Sequence, residues 1–86
     1  MLGKGVSAMP KVFEVGRRYE FAEIGLDPVT IMRKTEKSIW AKYYDGRTFM
    51  MRLRHDEYGN ECFYDSKIPV RYRYENTCNA KWPVKE

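Results

Sequence analysis

The chain has 86 residues, 16 Lys and Arg against 12 Asp and Glu for a net charge of +4, and 15% aromatic residues. That length allows one domain, and the aromatic content exceeds what a disordered segment carries. No apolar run approaches the roughly 20 residues of a transmembrane helix, and no secretory signal opens the chain, so a cytoplasmic protein without membrane contact is expected.

Residues 1–10 show no periodicity and are expected to form a flexible arm, with Met9 as an alternative start to Met1. Gly3-Lys4-Gly5 lacks both the spacing and the preceding strand of a phosphate loop. Tyr19 and Phe21 alternate with Arg18 and Glu20, which predicts a strand at about 17–22 after a turn at Gly16. Val29 and Ile31 alternate with Thr30 and Met32 in a second strand, Val29 to Lys34.

Ser38 to His55 is the best-patterned segment. Ile39, Ala41 and Tyr43 alternate with Trp40, Lys42 and Tyr44; beyond Asp45-Gly46, Phe49, Met51 and Leu53 alternate with Met50, Arg52 and Arg54. This is a β-hairpin, and its register follows from the loop. A two-residue loop would set Lys42 against Phe49. A three-residue loop of Tyr44-Asp45-Gly46 sets Ala41 against Phe49 and Ile39 against Met51, with Gly46 at the position that needs positive φ. A one-residue slip inverts a whole face, so the second register is adopted. Ile39, Ala41, Phe49, Met51 and Leu53 then face inward. Trp40 opposes Met50, Lys42 opposes Thr48 and Ser38 opposes Arg52 on the outer face, with Arg54 beyond.

Asp56 to Asn60 reads as a turn and Glu61 to Tyr64 as a short strand. Ile68 to Tyr74 is expected to be the last extended segment, with Pro69 at an edge or at its start. Residues 76–86 are expected to form an irregular tail in which Trp82-Pro83 plugs the fold. With no helical periodicity anywhere, the expected fold is all-β: a small SH3-like barrel of five or six short antiparallel strands spanning residues 11–75. An OB-like barrel is the alternative, disfavoured because no helix is patterned between its third and fourth strands.

Phe13-Glu14-Val15-Gly16-Arg17-Arg18-Tyr19, then Arg33 to Ile39, Asp45-Gly46 and Gly59-Asn60-Glu61-Cys62-Phe63 form an ordered series. It resembles a group of short β-rich proteins from bacteria and their phages or mobile elements, which carry F-x-V-G-x-x-Y and, before a hairpin, K-x-T-x-K-[ST]-[IV]. The resemblance spans about residues 12–64. It implies a barrel and a mobile-element origin, and brings no activity or site.

Chemistry has little purchase. Cys62 and Cys78 form no C-x-x-C pair, so no metal site is expected, and they are read as reduced, partly buried thiols. His55-Asp56 is the sole His–carboxylate neighbour pair, and adjacent strand residues point to opposite faces. No catalytic residue and no cofactor are expected. The acidic cluster Asp56, Glu57, Glu61 and Asp65 reads as a solvated turn.

The positive charge is uneven: residues 30–54 carry +5, from Arg33, Lys34, Lys37, Lys42, Arg47, Arg52 and Arg54 against Glu36 and Asp45. The candidate binding patch is therefore Trp40, Lys42, Tyr44, Met50, Arg52 and Arg54, with Trp40 as anchor. Trp, Tyr, Met and Arg are the residues enriched in interface cores. The leading expectation is a module that docks on a host protein or protein–nucleic-acid complex, for example as an inhibitor of a defence nuclease. The alternatives are direct binding of DNA or RNA, by base stacking and phosphate pairing, and a homodimer through the Trp40 face.

Overall fold

Strands arise where apolar side chains recur at every second position and can share one interior. The computed structural model describes residues 9–23 and 25–85, so residues 1–8 of the expected arm lie outside the described part. The strands are β1 (Arg18–Phe21), β2 (Val29–Lys34), β3 (Ser38–Lys42), β4 (Thr48–Arg52), β5 (Arg54–His55), β6 (Glu61–Phe63) and β7 (Cys78–Pro83). All pairings are antiparallel, in the order β4-β3-β2-β1-β7-β6-β5, and the sheet curls into a nearly closed barrel. The small barrel expected from the sequence is present, with seven strands among the described residues instead of five or six.

The interior holds Phe13, Tyr19, Val29, Ile31, Ile39, Ala41, Leu53, Phe63, Cys78 and Ala80, with Phe21, Tyr43, Phe49 and Met51 packed against them. Phe63 is the hub: its ring lies 5.5 Å from Phe13, 6.3 Å from Phe21 and 5.9 Å from Phe49. Phe13 also meets Tyr19 edge-on at 4.8 Å, a geometry that aromatic quadrupoles favour. The buried Tyr19 hydroxyl accepts the Glu14 N–H at 2.9 Å.

The β3–β4 hairpin has the register derived above: Ala41 opposes Phe49, Trp40 opposes Met50 and Ser38 opposes Arg52. Tyr43 donates its N–H to the Arg47 carbonyl at 2.8 Å, Gly46 donates to the Tyr43 carbonyl, and Gly46 has φ +92°. That φ lies in the left-handed region glycine tolerates best.

The C-terminal quarter differs from expectation. Residues 70–72 form a single 3₁₀ turn after Pro69, not a strand. The expected irregular tail contains β7, which lies between β1 and β6 near the middle of the sheet. Arg73 ties the turn down, donating from Nε to the Ile68 carbonyl and from Nη2 to the Ser66 carbonyl. Trp82 packs edge-on against Tyr74 at 6.3 Å. Because β1 and β2 separate β7 from β3, Trp82 belongs to a different part of the sheet from Trp40.

The acidic turn is also more than solvated. Glu61 is buried; its Oε1 accepts the Phe13 N–H at 2.8 Å and Lys34 Nζ at 2.7 Å. Asp56 Oδ1 accepts the N–H groups of Tyr58 and Asn60, and Oδ2 accepts the Asn60 and Asn79 side-chain amides. The two carboxylates thus fasten the N-terminal segment, β2 and β7 to the β5–β6 hairpin.

Candidate binding face and sheet edge

The outer face of β2–β4 is built around a bulge. Ile31 opposes Ala41, yet Arg33 opposes Trp40, so Met32 is an extra residue in β2. Without it, alternation would turn Arg33 inward toward Ile39. The bulge instead sets Arg33 beside Trp40 and carries Lys34 to the Ile39 rung, from which it reaches Glu61. Bulges commonly re-aim side chains in this way. The Arg33 guanidinium carbon lies 4.3 Å from the Trp40 ring centroid, within cation–π range.

Trp40 is half-buried and faces away from the core, while its neighbour Ile39 is fully buried. Met50 is 54% exposed and Met32 43%. Lys42 lies one rung along, opposite Thr48, and Arg52 lies on the other side, opposite Ser38. The fold therefore brings together Trp40, Lys42, Met50 and Arg52, four of the six residues singled out from the sequence. Tyr44, 80% exposed, sits in the hairpin loop beside Tyr43 and Arg47 and is not part of this face.

Arg54 lies past the β4–β5 corner, with its guanidinium carbon 4.5 Å from the Tyr64 ring centroid and its buried Nε without an acceptor among the described residues. It shares a groove with Lys37, Met50, Arg52, Tyr64 and Lys67, along the seam where β4 and β5 leave the barrel unclosed. No carboxylate among the described residues pairs with Arg33, Lys42, Arg52 or Arg54. Arg33 is the functional candidate missed in the sequence. Strict alternation from Ile31 would have turned Arg33 inward, so only the bulge at Met32 reveals it.

His55 is exposed, and the Asp56 oxygens are occupied by amide donors, so these two form no pair. Burial opposes Asp56 ionisation, but the Asn79 and Asn60 side chains and the Asn60 and Tyr58 N–H groups outweigh it and lower the carboxyl to about 2. Cys62 and Cys78 are free and buried, and burial pushes both thiols up. Among the described residues no cluster of three His, Cys, Asp or Glu could hold a metal, and no helix is long and apolar enough to cross a membrane.

A broad concavity lies outside β1 and β7, lined in part by Glu20, Lys81 and Trp82, and it gathers none of the patch residues. No protein-family model, curated protein or solved structure matches this chain.

Proposed function

We propose that this protein is a non-enzymatic docking module, carried by a phage or mobile element, that binds a host protein or protein–nucleic-acid complex through the β2–β4 outer face. The observation that supports this reading is the grouping of exposed Met32 and Met50 with an arginine-covered Trp40 and with cations that pair with no carboxylate among the described residues. Apolar surface ringed by Arg and Lys suits a partner with an apolar centre and an acidic rim. The mobile-element origin rests on the sequence resemblance alone. Direct nucleic-acid binding is the second reading, favoured by the charge of residues 30–54. It is weaker because base stacking needs an open ring, and the Arg33 guanidinium already lies over Trp40.

The test is quantitative capture from a bacterial lysate by immobilised wild type and by Met50→Asp. The expected result is a protein retained by wild type after nuclease treatment and in about 1 M salt, where the screening length is about 3 Å. Met50→Asp should lose it at an unchanged melting temperature. Retention of nucleic acid instead, released steeply as salt rises, would favour the second reading. Equal capture by both proteins would remove this face from the function.

A further inference from the structure

We propose that the free edge of β4 takes an extended peptide strand of alternating acidic and apolar residues from the partner. The inference rests on the docking reading above and names the partner's chemistry.

The edge is defined by hydrogen bonding. Among the described residues β4 pairs with β3 alone, and β4 and β5 are the two ends of the sheet. Tyr43 donates to the Arg47 carbonyl and Leu53 to the Lys37 carbonyl. These bonds fix the phase of the ladder: Phe49 and Met51 bond toward β3. In an antiparallel pair the intervening residues turn the other way. Thr48, Met50 and Arg52 therefore direct their N–H and C=O groups to the open side. Such an edge is a template for another strand.

The two flanks of that edge differ in chemistry. On the inner side a cleft is lined by Phe49, Met51, Leu26 and Ile68 together with the charged Asp27 and Arg47. On the outer side the groove carries Lys37, Arg52, Arg54 and Lys67. Asp65 borders both sides, and its Oδ1 already accepts the Lys67 N–H at 2.9 Å. A strand laid on β4 presents alternate side chains to these two flanks. Apolar side chains would enter the cleft and carboxylates would meet the cations. A second copy of this chain fits poorly, because pairing β4 with itself would bring two cationic flanks together.

The probe is a capped heptapeptide alternating Glu and Val, titrated into the full chain and followed by amide NMR and hydrogen exchange. The expected result is exchange at Thr48, Met50 and Arg52 slowed by about tenfold or more, with no effect from the matching Lys–Val peptide. Met50→Pro removes an outward N–H without touching the β3 ladder, and should abolish binding. Should Met50→Pro fail to fold, two Glu–Val peptides N-methylated on the one or the other alternate set of amides carry the same test: the set that faces β4 should abolish binding and the other should leave it. Equal binding of the Lys–Val peptide, shifts confined to Arg33 and Trp40, or no binding of the Glu–Val peptide would overturn the proposal. A dimer mass in sedimentation, with these amides protected in the free protein, would also overturn it. Failure of the peptide while lysate capture still depends on Met50 would sink the edge and leave the face. Edge protection by the peptide with no partner captured would do the reverse.

Discussion

Replacing Asp56 by Asn should destabilise the fold by about 1–2 kcal/mol near neutral pH and by almost nothing near pH 2. The carboxylate accepts four hydrogen bonds, two at each oxygen, from Tyr58, Asn60 and Asn79. Its folded value of about 2 lies below the ordinary 3.8. A lowered carboxylate contributes stability that is present above the unfolded value and fades as pH falls through the folded one. The full difference corresponds to roughly 2–2.5 kcal/mol, and because water reaches part of this half-buried group the lower range applies. An amide at position 56 keeps one acceptor but turns an NH₂ toward the Asn60 or Asn79 donors. Urea titrations of wild type and Asp56→Asn at steps from pH 7 to 2 should show the gap closing between about pH 4 and 2. The melting temperature at neutral pH should fall by about 5–10 °C. A gap that stays constant across the series would refute the assignment of this stability to the ionised carboxylate.

Gly59→Ala should destabilise more than Gly46→Ala in thermal melts. Both positions have positive φ, but a Cβ at Gly59 would also meet Pro10 Cγ at 3.3 Å, whereas Gly46 is open; about 1 kcal/mol is expected from the backbone alone. Glu61→Ala leaves the buried Phe13 N–H unpaired and Lys34 without its partner, and should lose about 1–3 kcal/mol by chemical denaturation. Lys34→Met in that background should cost little further. Neither cysteine should react with an aromatic disulfide reagent in the native protein, since both thiols are buried and shifted upward. The labelling rate should rise with urea as the barrel opens.

The β3–β4 hairpin was legible in the sequence because two independent signals agree: the period-two pattern of Ile39, Ala41, Phe49 and Met51, and a glycine placed for positive φ. The outward turn of Trp40 followed from that register. β7 was hidden because its buried side chains, Cys78 and Ala80, are small and give a weak apolar signal, while the arginine–tyrosine alternation at 71–74 imitates a strand. Those tyrosines are instead exposed, and the Arg71 and Arg73 guanidiniums lie over the Tyr72 and Tyr64 rings. Arg33 was obscured by the bulge at Met32, which strict alternation cannot register. The structural duties of Asp56 and Glu61 escaped notice because Asn79 and Phe13, their partners, are remote in sequence.

The pairing of β1 with β7 governs how the protein comes into being. Tyr19 meets Pro83 and Phe21 meets Cys78, so the interior cannot shut until the last strand has emerged from the ribosome. Until then the interior that Phe13, Tyr19 and Phe63 share lacks Cys78 and Ala80. A contact this distant in sequence also slows the search for the native arrangement, so the docking of β7 on β1, and not the early hairpin, is the step that closes the interior.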